Sequence, residues 1–144
     1  MLSNWEQLKR KEKQQTTYTD TLESVARALP ALWRAEKVQK KAAKAGFVWP
    51  EPDGALNKLR EEVQELSDAV AGRGDVEEEL GDVLSAAVCL ARLLGVDPEV
   101  ALNRSTDKFI RRFGAMEELS GDRDMKELSV QEYLGLWARA KEKT

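Results

Sequence analysis

Between residues 61 and 82 the chain carries nine acids, Glu61, Glu62, Glu65, Asp68, Asp75, Glu77, Glu78, Glu79 and Asp82, against one base, Arg73. Glu62 with Glu65, and Glu79 with Asp82, have the i, i+3 spacing that sets both carboxylates on one side of a helix. On a helical wheel Leu56, Leu59, Val63, Leu66 and Val70 form one apolar stripe, with Glu62 and Glu65 on its flank and Asp68 turned to water. Glu79 and Asp82 fall on the strip of Ala86, Leu90 and Leu93, so they stand in the first turns of an otherwise apolar face. Carboxylates placed there are costly unless they are paired or bound to a cation. Helical ion pairs reach three or four residues on, and there neither pair finds a lysine or arginine, so no local base neutralises them. Two such pairs on consecutive helices, joined by Gly72-Arg73-Gly74, can face each other across an antiparallel hairpin, as carboxylates do in a bundle metal site. An acidic patch, solvated or bridged to distant bases, is the other reading of the same residues.

Composition narrows the chemistry. The chain has no histidine and one cysteine, Cys89. That removes imidazole bases, Ser-His and Cys-His nucleophile pairs, imidazole zinc sites and the Glu-x-x-His motif of di-iron bundles. A metal held by these residues would be hard and oxygen-bound, magnesium before any other, with manganese as a substitute. Magnesium held by a few carboxylates usually shares its open positions with phosphates, so cations become relevant. Lys108 and Arg112 lie one turn apart beside Leu102, Thr106, Phe109 and Phe113; Lys37, Lys40, Lys41 and Lys44 make a basic segment; Lys141 follows Trp137 by one turn. Each lysine alone also reads as an ordinary solvated cation, and Trp33, Trp49 and Trp137 as core residues. Gly72-Arg73-Gly74 has neither the spacing nor the lysine of a phosphate-binding glycine loop, which excludes a P-loop enzyme.

The elements that must position these side chains are helical. Alanine, leucine, glutamate, lysine and arginine dominate, and no alternating run is long enough for a strand. Ser3 with Glu6 opens a first helix. Thr19 or Asp20 opens a second that runs to Gly46, kinked or split at Pro30. Asp53 caps a third, Asp75 with Glu78 a fourth, Asp97-Pro98 a fifth, and Ser129 with Glu132 the last. The fourth helix, with Leu84, Ala86, Ala87, Val88, Cys89, Leu90, Ala91, Leu93 and Leu94, is expected to be buried nearly all round. With 144 residues the reading is a single domain over 1–144, an all-α helical bundle. The 23 basic and 26 acidic residues give a net charge of −3, which argues against a nucleic-acid partner. Val83 to Ala91 is about half the ~20 residues of a membrane span, and the first residues have no apolar core for a signal peptide. No membrane partner and a cytoplasmic location are expected.

The order Glu61-Glu62-x-x-Glu65, thirteen residues, then Glu79-x-x-Asp82 resembles the signature of the all-α nucleoside triphosphate pyrophosphohydrolases. Within them it is similar to the catalytic, C-terminal half of the MazG family. Lys37-x-Gln39-Lys40-Lys41, Gly46-Phe47-x-Trp49, Ala91-Arg92-Leu93-Leu94-Gly95-Val96-Asp97-Pro98 and Lys108-Phe109-x-Arg111-Arg112-Phe113 extend the likeness over nearly the whole chain. It departs from the family pattern at Thr106, usually asparagine, and at Val48, usually aspartate. The resemblance implies magnesium-dependent cleavage of a nucleoside triphosphate between the α and β phosphates, giving the monophosphate and pyrophosphate. It implies Glu62, Glu65, Glu79 and Asp82 as metal ligands, with Glu61, or the metal itself, activating water. Lys108 and Arg112 would act on the phosphates; Lys37, Gln39, Lys41, Trp49, Trp137 and Lys141 would contact substrate. It also implies a homodimer whose two chains complete the bundle. A base-selective relative (acting on dUTP, dCTP or phosphoribosyl-ATP) and a non-catalytic dimerisation or regulatory module are the alternatives.

Overall fold

A computed structural model describes residues 3–12, 17–48 and 51–144. Among them are seven α-helices, one 3-10 turn and no strand: α1 (Asn4–Glu12), α2 (Tyr18–Glu23), α3 (Ala31–Lys44), α4 (Pro52–Val70), α5 (Val76–Leu93), α6 (Pro98–Ser120), the turn Met125–Glu127, and α7 (Val130–Lys143). The all-α expectation holds. None of these helices is long and apolar enough to cross a membrane. By contact the chain divides into two compact units, Met1–Glu99 and Val100–Thr144.

In the first unit α4 packs along α5, α3 against α5, and α2 against α3. Val25, Ala55, Ala69, Ala86 and Val88 are its buried apolar residues. Small side chains dominate this core, so the helices approach closely and leave a pocket where three of them meet. Glu6 pairs with Lys44, tying α1 to α3. Trp33 Nε1 donates to Asp97 Oδ1 at 2.9 Å, and the same oxygen takes the Glu99 amide at 2.9 Å, capping the start of α6.

The helix boundaries follow local chemistry, with three corrections. The second expected helix is split at Pro30, and its first part is capped by Thr17, not Thr19 or Asp20. Thr17 and Asp20 exchange side-chain and backbone bonds in a capping box, which places Asp20 in the first turn. Asp53 is not the cap of α4. Proline favours the first helical position, so Pro52 starts the helix, Glu51 precedes it, and Asp53 falls in the first turn. Nor is α5 buried all round. Leu84 is 51 % exposed and Leu80 46 %, so among the described residues α5 keeps an open apolar face.

The turn between α4 and α5 needs Gly72. Its φ is +91°, its amide donates to the Ala69 carbonyl at 2.9 Å, and the Arg73 amide donates to the Asp68 carbonyl at 2.9 Å. That is a Schellman closure, and a side chain at such a φ would be strained. Asp75 then accepts from the Glu77 and Glu78 amides and starts α5. The reversal takes five residues, so the acidic turns of the two helices lie side by side.

In the second unit Met116 and Ala140 are buried. Phe109 lies 5.4 Å from the Trp137 ring and 6.4 Å from Phe113. Tyr133 donates to the Met125 carbonyl at 2.6 Å, and the Ser129–Glu132 capping box opens α7 as expected.

Candidate metal centre

The α4–α5 hairpin brings Glu62, Glu65 and Glu79 together: each offers a carboxylate oxygen, and the three oxygens lie within 4.8 Å of one another. Glu62 is 6 % exposed, Glu79 half-buried and Glu65 exposed. Oε2 of Glu62 and Oε2 of Glu79 are buried with no hydrogen-bond partner among the described residues. Burial first, and then the charges of Glu65 and Asp82, hold the Glu79 carboxyl above its usual range. Asp82 stands outside the group of three, close enough to act on Glu79, and lines the pocket that Glu62 also lines.

One base does reach the cluster. Lys58 Nζ lies 2.6 Å from Glu62 Oε1, and this contact raises the lysine pKa. Lys58 sits four residues before Glu62, one helical turn back. A count of neighbours toward the C-terminus passes over it, whereas the same i, i+4 rule applied in both directions finds it. Among the described residues no ion pair reaches Glu65, Glu79 or Asp82. Asp68, expected to face water, is half-buried and held by Arg73 at 3.0 Å and Gln64 at 3.2 Å, which lowers its pKa. Glu61 is exposed, 3.9 Å from Lys58 and outside the cluster.

Hard oxygen donors, two of them buried without partners, and no soft ligand beside them suit a hard divalent cation. The cluster could bind a metal ion. Among the described residues, only Glu62 of the four expected carboxylates is paired with a base, Lys58.

The other expected residues are distributed unevenly. Gln39 lines the pocket beside the carboxylates; Lys37 is exposed, Lys41 half-buried, and neither is in the lining. Trp49 lies outside the described residues. In the second unit Arg112 lies over the Trp137 ring, 5.7 Å from its centroid, and its Nε donates to Thr144 Oγ1 at 3.2 Å. Lys108 and Lys141 are exposed.

Residues 51–115 match the family model of the MazG nucleotide pyrophosphohydrolase domain. The chain is 39 % identical over 134 residues to a nucleoside triphosphate pyrophosphohydrolase of Escherichia coli K12, covering 90 % of this chain and 51 % of that protein. It is 39 % identical over 140 residues to the nucleoside triphosphate pyrophosphohydrolase/pyrophosphatase MazG of Thermotoga maritima, covering 95 % and 54 %. An uncharacterized protein of Bacillus subtilis, YabN, is 40 % identical over 147 positions, 99 % of this chain and 30 % of its own length. The chain thus spans about half the length of the first two of these relatives. The Glu62, Glu65 and Glu79 cluster falls inside the segment that matches the MazG nucleotide pyrophosphohydrolase domain.

Proposed function

We propose that the chain is a magnesium-dependent nucleoside triphosphate pyrophosphohydrolase, with manganese a possible substitute for magnesium. Water would attack the α phosphorus, the bond from Pα to the bridging oxygen would break, and pyrophosphate would leave with that oxygen. The observation that carries this reading is the group of three carboxylates with two buried, unpartnered oxygens. Its place in the segment that matches the MazG domain, and the names of the relatives, supply the substrate class.

Glu62, Glu65, Glu79 and Asp82 would hold the cation, which supplies neutralisation of the triphosphate charge and acidification of water. Lys58 keeps one oxygen of Glu62 fixed, and its charge offsets part of the acidic excess. Glu61, exposed and one residue before Glu62, is the candidate acceptor for the proton of the attacking water. Lys108 and Arg112 on the phosphates, and Lys37, Lys41, Trp49, Trp137 and Lys141 as further substrate contacts, rest on the family resemblance. So does the homodimer, which the exposed Leu80 and Leu84 favour as a shared apolar face. A cytoplasmic setting suits the single free thiol.

The test is product analysis by phosphorus NMR on common ribo- and deoxyribonucleoside triphosphates, in heavy-oxygen water with and without magnesium. Pyrophosphate plus monophosphate carrying the label, formed only with the metal, is the expected result. Orthophosphate would show cleavage at another bond and overturn the mechanism. Turnover of one base only would assign the chain to a base-selective relative, and none at all to a non-catalytic module.

A further inference from the structure

Within the second unit a pocket of about 310 Å³ opens between the end of α6, the loop that follows it and α7. That lies at the lower end of the roughly 300–1,000 Å³ of pockets that enclose small organic molecules. No residue of its lining belongs to the carboxylate cluster or to the expected substrate contacts. Glu132, Gly135, Leu136 and Arg139 recur at three- and four-residue steps, so one face of α7 forms a whole wall.

The lining has an apolar part and a charged part. Leu119, Leu128 and Leu136 are each half-buried, and part of their surface is left open on the pocket. Arg123 pairs with Glu132 through Nη1, and the second oxygen of Glu132 accepts the Ser129 amide at 3.4 Å. That carboxylate is engaged at both oxygens, while Nε and Nη2 of Arg123 keep no partner among the described residues. Arg139 is exposed and makes no ion pair or hydrogen bond through its side chain among them. Two arginines against one glutamate leave the lining one positive charge, opposite in sign to the −3 of the whole chain. An anion entering here meets guanidinium donors in the fork geometry that suits a carboxylate or a phosphate.

Gly135 supplies the room. It lies inside α7, where glycine weakens a helix relative to alanine. A Cβ built on it meets no atom within 4 Å, so packing among the described residues does not call for glycine there. Its place on the pocket wall does, because bare backbone lets a ligand come close.

We propose that this pocket binds a small organic anion, its carboxylate or phosphate held by Arg123 and Arg139 and its apolar body laid over Leu119, Leu128 and Leu136. The bare backbone at Gly135 admits that body. Only the folded chain assembles the pocket, so the ligand also stabilises the fold.

The test is a titration of the full chain in chelator, followed by backbone amide resonances in nuclear magnetic resonance. Chelator removes any cation through which the carboxylate cluster could hold an anion. The probes are phenylpropionate and phenyl phosphate, with phenylpropanol as the body without charge and inorganic phosphate as the charge without body. At least one anionic probe is expected to shift the Gly135 and Leu136 amides saturably, about tenfold more tightly than either control. The tighter of the two identifies the head group. Arg139→Ala, at an exposed position, is expected to weaken that binding about tenfold. Gly135→Leu is expected to abolish it while melting no lower than the parent, because leucine is the better helix former and enters open space. Failure of both anionic probes to move these amides would overturn the proposal. A control that binds as tightly as the anions would do the same, inorganic phosphate then marking an adventitious ion only. Parent-like binding by Arg139→Ala, or by a folded Gly135→Leu chain, would also overturn it.

Discussion

Glu62 on α4 is 6 % exposed and keeps one oxygen without a donor, whereas Lys108 on α6 and Lys141 on α7 stand in solvent where water satisfies them. The α4–α5 hairpin gathers like charges and buries part of them; the second unit spreads its cations and ties Arg112 to an aromatic ring and a hydroxyl. A buried carboxylate oxygen without a donor is unfavourable in the folded chain even when its twin is paired, as Glu62 is with Lys58, so it points to something that binds it. A solvated lysine costs nothing and points to nothing. The two regions therefore carry unequal physical weight. The first argues for a cation from geometry, while the second takes its phosphate role from family likeness.

That contrast orders the expected effects. Outer-shell substitutions at metal sites typically cost 10–100-fold, so loss of a direct ligand should cost more. Glu65→Gln and Asp82→Asn are each expected to lower kcat/KM by more than about 100-fold in a steady-state pyrophosphate-release assay. Arg112→Ala should cost about tenfold, since its guanidinium is held by Trp137 and Thr144 and would add one charge-assisted contact to a phosphate. If Arg112→Ala matches the carboxylate variants, the contrast between the regions fails. Leu84→Asp places a charge on the exposed face of α5 and tests the proposed homodimer, with sedimentation expected to shift toward monomer.

The smallest effect concerns the second unit's own ion pair. Arg123, and then the Ser129 amide, hold the Glu132 carboxyl below its ordinary value of 4.5. A depressed folded pKa gives stability that is present above the unfolded value and lost as pH falls through the folded one. The melting temperature should therefore drop as pH falls below 4.5, and Glu132→Gln should make that drop shallower. Asp68, held down by Arg73, contributes with the same sign in the first unit.

Much of the frame is visible in the chain itself. Ser3 with Glu6, Asp75, Ser129 with Glu132 and the glycines after α3, α4 and α5 mark helix ends through short-range hydrogen bonding, which local sequence controls. The grouping of Glu62, Glu65 and Glu79 is legible because spacing along two helices and a short turn determine it. The cap at Thr17 is harder to see, since Thr17, Thr19 and Asp20 all have capping side chains and the choice depends on how the chain enters the helix. The exposure of Leu84 is hidden as well: periodicity shows that a face is apolar and cannot show what covers it. The pocket is least visible. It arises where alanines from three helices approach, and the orientation of Gln39 depends on Ser85, distant in sequence.

A magnesium titration of thermal stability, on the parent chain and on Glu79→Gln, tests the central claim most directly. The account expects the parent to gain stability saturably with magnesium and the variant to gain little. It also expects the variant, without metal, to melt no lower than the parent, because the substitution removes a charge that burial first, and then the neighbouring carboxylates, disfavour. Equal magnesium stabilisation of both proteins, or a metal-free variant that melts well below the parent, would contradict a cation site between α4 and α5.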